Sequence, residues 1–336
     1  MTPEEAIRMR VTVRPAEMGD VKAVNDLLNA YSLGVLGKRQ WTEEEIRLDW
    51  QEPGFDIAVD TRVVLTPDNR FIGYGDLWGS SLPLVRLRSC VRVHPGFREN
   101  GIGSFLNHWA EVRAREKLSE APEGARVVLQ TVALPEDGAA LRLLRESGMN
   151  AVRYSWQMEI ELAEASPVPD WPEGVSVRTM RSGDSRAIYE ARSAAFKDHW
   201  GVVEEPFEEG FALWQHRMEK GPNFDSSLWF LAETSERIVG FSLCTSKSPE
   251  DPNMGWIDLL GVLRSWRRRG LGLALLLYSL SALRRRGLSR AGLFVDAESL
   301  TGATRLYERA GMKATQRYVT FEKELRPGRD LSRQSA

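Results

Sequence analysis

The chain of 336 residues carries one pattern twice, about half a chain apart. "GFRENGIGSFLNHWAEVRA" from Gly96 and "WRRRGLGLALLLYSLSALRRRG" from Trp266 share R-x-x-G-x-G, as Arg98/Gly101/Gly103 and Arg267/Gly270/Gly272, 169 residues apart. Flanking segments repeat in the same order. "VTVRPAEMGD" from Val11 matches "VSVRTMRSGD" from Val175, and "GFD" at Gly54 matches "NFD" at Asn223. "RFIGYG" from Arg70 matches "RIVGFS" from Arg237, and "SGMNAVRYSWQMEIEL" from Ser147 matches "AGMKATQRYVTFEKEL" from Ala310. A repeat this long means two copies of a domain, not a solenoid.

"AEASPVPDWPEG" (Ala163–Gly174) separates the copies and reads as a stiff, proline-bearing linker. "RPGRDLSRQSA" from Arg326 has no apolar face. The expected organisation is a first domain over 1–162, a linker over 163–174, a second domain over 175–325 and a disordered tail over 326–336. Each copy reads as a strand, helices, a three-strand meander, the glycine loop, a long helix, a strand, a helix and final strands. That is mixed α/β, with antiparallel hairpins and one strand–helix–strand crossover at the motif. In the second copy the fourth strand is expected at Gly255–Leu263 and the next at Arg290–Ala297. The long helix is expected from Gly270 to a stop at Gly287, a fitting position for a left-handed cap.

Composition removes several functions. Forty-five Lys and Arg oppose forty-seven Asp and Glu, a net charge of −2 with no global pull toward nucleic acid or membrane. The apolar run Leu271–Leu283 is shorter than the roughly 20 residues a bilayer span requires. Two cysteines, Cys90 and Cys244, sit in apolar strand-like runs, which excludes a disulfide framework and points to a reduced, cytoplasmic protein. No apolar leader opens the chain, so no signal peptide is expected. Neither metal, nucleic-acid nor membrane binding is expected, and the protein is expected to be a monomer or homodimer.

A strand running into Gly-x-Gly and then a helix presents free backbone N–H groups at the positive end of a helix dipole, which suits an anion. Arg267, Arg268 and Arg269 add charge beside it. The loop is not Walker A, because no Gly-Lys-Ser/Thr follows. Nor is it the dinucleotide fingerprint, whose third glycine is replaced by Leu106 and Leu275.

"VLRSWRRRGLGLALL", "LFVDAESLTGATRLYERAGM" and the two-copy layout resemble the GNAT superfamily of acetyl-CoA-dependent N-acetyltransferases, in the tandem-domain type that includes mycothiol synthases and uncharacterised relatives. The resemblance spans residues 11–162 and 175–325. It implies two tandem domains, each a mixed, mostly antiparallel splayed sheet flanked by helices. It also implies that the loop residues Arg267, Arg268, Arg269, Gly270, Leu271 and Gly272 hold the pyrophosphate of acetyl-CoA, the expected cosubstrate. The pantetheine arm would then run between splayed strands near Leu260, Val262 and Val295, with Ser299 close by, and Gly261 would permit the bulge that splays them. By the same resemblance Val91, Val93, Arg98, Gly101 and Gly103 form the corresponding site of the first copy.

Acyl transfer to an amine requires a base, polarisation of the thioester carbonyl and an acid for the departing thiolate. The resemblance gives the acid to Tyr307 in "RLYERAG". A phenol with an ordinary pKa of about 10 stays protonated at neutral pH, as a donor must. Asp258, in an otherwise apolar strand, is costly to bury unless paired or used, and it is the candidate base. Glu204, Glu205, Asp296 and Glu298 are its rivals. Mycothiol synthases carry their glutamate two residues earlier, where this chain has Trp256. The first copy has Ser89 and Leu144 at the offsets of Asp258 and Tyr307, so catalysis is expected in the second copy alone. The resemblance places the acceptor in the segment Ala194–Phe211, where Asp198, His199, Trp200 and Glu204 cluster. The leading expectation is an N-acetyltransferase acting on a small-molecule primary amine. The alternatives are a mycothiol synthase proper, or a non-catalytic acyl-CoA sensor or scaffold.

Overall fold

The computed structural model describes residues 11–79, 81–162, 170–235, 237–248, 251, 253–299 and 301–332. Most of the expected linker (163–169) and the end of the expected tail (333–336) lie outside these residues.

The strands in chain order are β1 (Thr12–Arg14), β2 (Thr61–Leu65), β3 (Phe71–Trp78), β4 (Arg86–Val93), β5 (Val127–Ala133), β6 (Asn150–Glu161), β7 (Ser176–Thr179), β8 (Trp229–Glu233), β9 (Ile238–Thr245), β10 (Met254–Val262), β11 (Arg290–Asp296) and β12 (Lys313–Arg326). The helices are α1 (Val21–Leu36), α2 (Glu43–Trp50), α3 (Ile57–Asp60), α4 (Ile102–Glu116), α5 (Gly138–Glu146), α6 (Ser185–Phe196), α7 (Phe207–Glu219), α8 (Leu271–Arg285) and α9 (Ala303–Arg309). The expected strands and long helix of the second copy are present, within two residues at each end.

The chain divides into two compact units, and these do not follow the boundaries expected at 162 and 175. The first unit holds the chain through Val152 together with Glu204–Pro222 and Val319–Leu331, and the second holds Arg153–Val203 and Asn223–Tyr318. Within the first unit the sheet order is β1-β2-β3-β4-β5-β12, and within the second it is β6-β11-β10-β9-β8-β7. Each sheet is thus completed by the last strand of the other repeat. Residues 319–326 of β12 pair antiparallel with β5, from Val319↔Ala133 to Arg326↔Val127. β6 pairs antiparallel with β11, from Arg290↔Glu161 to Asp296↔Ser155. An unpaired edge on β5 or β11 would leave a row of backbone groups without partners. The repeated sequences of β6 and β12 let either strand fill either edge.

The tail expectation needs correction for the same reason. Arg326 ends a strand, its guanidinium donates to the Ala125 and Leu118 carbonyls, and Arg329 bridges Ala125. Helix α7 also leaves its own repeat. Arg217 forms a bidentate ion pair with Glu52, and a His216 ring nitrogen lies 2.7 Å from the Leu48 carbonyl oxygen, so α7 packs in the first unit.

Apolar residues on both faces of each sheet produce three layers. In the first unit Val24, Leu27, Leu28, Ile46 and Trp50 cover one face with Val63 and Tyr74. On the other face Ile102 and Leu106 pack on Val64 and Ile72. In the second unit α6 buries Ile188, Tyr189 and Ala195, and α8 buries Leu271, Leu275, Leu276, Leu280 and Leu283. Full burial of one such leucine stabilises by about 1.5–3 kcal/mol. This accounts for the all-apolar look of α8 without any membrane, and among the described residues no helix is long and apolar enough to cross one.

Candidate functional site

The two glycine loops have the same backbone. Arg267 is extended (φ −66°, ψ 158°), Arg268 is left-handed (φ 62°), and Gly270 is left-handed (φ 85°) as α8 begins. In the first unit Arg98 (φ −66°, ψ 161°), Glu99 (φ 63°) and Gly101 (φ 75°) repeat these values. A left-handed residue other than glycine costs roughly 1–2 kcal/mol, so retaining one in each copy marks a loop shape held by its surroundings. The two glycines of the motif serve different needs. Nothing lies within 4 Å of a Cβ built on Gly270, which is there for its φ, whereas a Cβ on Gly272 would come 3.0 Å from Leu306 Cδ1 and 3.7 Å from Val262 Cγ2. Gly103 meets Leu143 and Val93 in the same way, at 2.9 and 3.7 Å.

Gly270 offers no side chain to cap α8, and the first helical hydrogen bond runs from the Ala274 amide to the Gly270 carbonyl. The amides of Leu271, Gly272 and Leu273 therefore face outward with no acceptor among the described residues. Arg268 and Arg269 are exposed beside them, Arg269 lying 4.8 Å over the Trp266 ring. These groups fit a pyrophosphate. Arg267 is different, because it turns inward. Its guanidinium donates to Asp198 at 3.0 Å, to the Ala195 carbonyl at 2.8 Å and to the Val262 carbonyl at 3.3 Å. It therefore ties the loop to α6 and β10 rather than presenting charge to a ligand. Asp198, expected at the acceptor, is the other half of that brace.

Beyond the loop, the sheet opens. The parallel pairing of β10 with β11 runs from Met254↔Arg290 to Ile257↔Leu293 and stops there. On the other side of β10 the register with β9 slips between Ile257 (opposite Cys244) and Leu259 (opposite Leu243), leaving Asp258 as the extra residue of a β-bulge. The bulge is at Asp258, not at Gly261. Gly261 stays in register with Phe241 and admits that ring, whose Cζ would lie 2.3 Å from an added Cβ. Leu260 and Val262 continue the opened part of β10 and are half-buried.

The Asp258 carboxylate is open to solvent at the mouth of the opening, while protein surrounds it on its other sides. Both descriptions hold because it lines a recess. This desolvation pushes its carboxyl up to about 7, and the hydrogen bond from Thr245 only partly opposes it. No arginine or lysine pairs with it among the described residues. Its rivals are engaged or elsewhere. Arg153 clamps Asp296 at 2.9 and 2.7 Å and Glu298 at 2.7 Å, and lies 5.4 Å over the Trp200 ring. Glu204 and Glu205 fall in the other unit.

Tyr307, on α9, is 7 % exposed. Its hydroxyl has no partner among the described residues, and burial pushes it up to about 12, so it keeps its proton at neutral pH. Leu306, the adjacent residue, is the one that fills the space over Gly272. His199 is half-buried, its ring 4.5 Å from that of Phe196, and burial and then Arg267 lower its pKa. Ser299 is exposed, its hydroxyl 2.9 Å from that of Thr301. Both cysteines are inert as nucleophiles, because burial raises Cys90 to about 11 and Cys244 to about 12.

The first unit keeps the loop without the chemistry. Its strands β4 and β5 pair from Arg86↔Val128 to Arg88↔Gln130, and the Thr131 hydroxyl then donates to the Ser89 carbonyl at 2.9 Å, stitching the step where the second unit opens. β3 and β4 pair without a slip. Counting from Gly73↔Val93 and Gly240↔Val262, Ser89 corresponds to Ile257 and Arg88 to Trp256. Asp258 then has no counterpart at all, which corrects its sequence match to Ser89. Val91 and Val93 pair regularly with Gly75 and Gly73. Arg98 turns inward to Asp137 (3.3 Å) and the Tyr31 ring. The bulge was missed because an inserted residue disappears in a match that assumes one offset along the strand. Thr245, Gly292 and Phe294 were missed because each lies on a strand away from any motif.

Comparison with known proteins agrees with this geometry. Residues 186–312 match the acetyltransferase (GNAT) family. Mycothiol acetyltransferase of Thermobispora bispora is 36% identical over 224 residues, 65% of this chain and 70% of that protein. A crystal structure of a GCN5-related N-acetyltransferase from Sphaerobacter thermophilus superposes with a TM-score of 0.78 at 37% identity, covering 96% of this chain and 98% of that one. A tandem GNAT protein from the clavulanic acid biosynthesis pathway shares the fold, with a TM-score of 0.71 at 18% identity over 95% and 100% of the two chains. With loop, opened sheet and duplication all in place, the chain belongs to the GCN5-related N-acetyltransferase (GNAT) family and is an N-acetyltransferase.

Proposed function

We propose that this enzyme transfers the acetyl group of acetyl-CoA to the primary amine of a small molecule, by direct attack, in the second unit. The observation that carries the reading is Asp258. It is an extra residue placed by a bulge where the sheet opens, its carboxylate is free of any cation, and it is tuned to about 7. Acetyl-CoA supplies the acyl group and a thiolate that departs readily. The amides of Leu271, Gly272 and Leu273 and the exposed Arg268 and Arg269 hold its pyrophosphate, and Arg267 with Asp198 keeps that loop in shape. The opened strand from Asp258 to Val262 borders the pantetheine arm. Asp258, directly or through a water, takes a proton from the attacking ammonium, which a carboxylate near 7 does far better than one near 4. The Tyr307 hydroxyl gives its proton to the departing sulfur. The first unit, with Ser89 and Leu144 at the sequence positions of these groups, holds coenzyme A without turning it over.

An acetyl-CoA-dependent screen of amines that follows thiol release tests the proposal. Acetylation that Tyr307→Phe and Asp258→Asn both suppress supports it. Acetylation indifferent to both changes overturns the assignment. A mycothiol synthase activity, acetylating a cysteinyl amine on an aminosugar–inositol, is the second reading, favoured by the identity to the Thermobispora bispora protein. Trp256, at the position of the glutamate in that family, stands against it.

A further inference from the structure

The residues around Asp258 also describe the body of its acceptor. Pairing of β10 and β11 ends at Ile257↔Leu293, so Asp258 and Phe294 are the first residues on either side of the opening. Phe294 is 53% exposed, a large apolar ring in water at the mouth of a catalytic cleft. It does not stand alone. The Trp256 ring meets it edge-on at 4.9 Å, and the Tyr318 ring does so at 5.2 Å from the other side. The sequence makes room for this row, because a Cβ on Gly292 would sit 2.4 Å from Trp256 Cζ3. Tyr318 is fixed by its hydroxyl, 3.1 Å from Gln157 Oε1. Asp258 lies on the same face, since the hydroxyl it accepts from belongs to Thr245, the cross-strand partner of Trp256. Single apolar residues are ordinary on a surface, but a contiguous aromatic row beside an unpaired carboxylate is a recognition surface. The carboxylate selects a cation, and the row selects a flat apolar body two to three residues along the strand from it.

We propose that the acceptor is a primary amine carrying an aromatic body, which stacks on Phe294 between Trp256 and Tyr318 while its ammonium sits at Asp258. This rests on the acetyl-transfer reading above and narrows its substrate class. A polyhydroxylated amine would place hydroxyl groups against these rings and leave them without partners.

The test uses the full chain with saturating acetyl-CoA and two pairs of amines. 2-Phenylethylamine and tryptamine are compared with ethanolamine and glucosamine. The expected result is a kcat/KM at least about tenfold higher for the aromatic pair, the scale of one well-packed ring. Phe294→Ala should raise KM for 2-phenylethylamine about tenfold with kcat retained, and Phe294→Leu should fall between. Phe294 is exposed enough that neither variant threatens folding. Calorimetric titration of 2-phenylethylamine into the CoA-bound protein gives a readout independent of turnover. Binding weakened by Phe294→Ala supports the inference even if no acetyl transfer occurs, in which case the reaction reading alone fails. Preferred turnover of glucosamine, or equal effects of Phe294→Ala on all four amines, overturns the inference and leaves the acetyl-transfer reading standing.

Discussion

The glycine loops of the two units differ in charge and in what lies beyond them, not in shape. Backbone angles agree to within about 10° at the three positions given above, and the contact of Gly272 with Leu306 and Val262 is repeated by Gly103 with Leu143 and Val93. Yet one loop reads R-R-R-G-L-G and the other R-E-N-G-I-G. Glu99 stands where Arg268 is, with Arg142 as its partner at 3.9 Å, so the first loop presents a carboxylate to any phosphate that approaches. Beyond the loops, one sheet opens at a bulge and the other is stitched by Thr131. The same scaffold therefore supports a reactive site in one unit and a binding site in the other, and the difference rests on one inserted residue and one phenol.

Gly272→Glu breaks the comparison most sharply. A side chain beside Leu306 and a negative charge in the phosphate nest should weaken coenzyme A binding to the second unit by about 100-fold or more, the loss of one or two charge-assisted hydrogen bonds. Turnover should go with it. Gly103→Glu should instead remove one equivalent from the calorimetric stoichiometry and spare most turnover. The reverse pattern would assign the chemistry to the wrong unit.

Tyr307→Phe should lower kcat by about 10²–10⁴-fold, the usual worth of a general acid, with coenzyme A affinity nearly intact. Losing affinity in step with rate would make Tyr307 a packing residue like its counterpart Leu144.

Asp258→Asn sharpens the contrast through pH. In the wild type, kcat/KM should rise with pH through about 7 as the carboxylate ionises, and the variant should be slow and lack that step. The stability consequence has the opposite sign. The folded value lies above the unfolded 3.8, so the protonated carboxyl stabilises the fold fully below about 3.8, and this is lost as pH rises through about 7. The melting temperature of Asp258→Asn should therefore gain on the wild type as pH increases over that window. A constant difference would mean the carboxylate is not tuned.

The smallest effect belongs to the exposed loop charges. Exchanging Arg268 and Arg269 for Glu and Asn should weaken coenzyme A binding by about tenfold at low salt, and less as ionic strength rises. The reciprocal exchange at Glu99 and Asn100 should tighten the first site by a similar factor. Binding that ignores both exchanges would leave the backbone amides as the whole of the site.

Local sequence determined much of this. The duplication, the left-handed glycines, the loop–helix anion site and the buried helix α8 follow from residues close together in the chain, where φ preference and apolar period act directly. Tyr307 and Asp258 were legible as candidates because one lies in a short motif and the other is a charge in an apolar strand. What an arginine does is less local. Arg267 and Arg98 read as ligands for phosphate, but they turn inward, since Asp198 and Asp137 reach them only in the folded units. The bulge is a matter of register between β9 and β10, which no single strand encodes. The exchange of final strands is the clearest case. β6 and β12 are similar enough that their sequences suit either sheet edge, and which of β5 and β11 each one completes is set by how the whole chain is threaded. The sequence by itself determined two copies of a fold and the residue types for acyl transfer. Tertiary structure decided which copy opens, because opening a sheet depends on the hydrogen-bond register of strands distant in sequence.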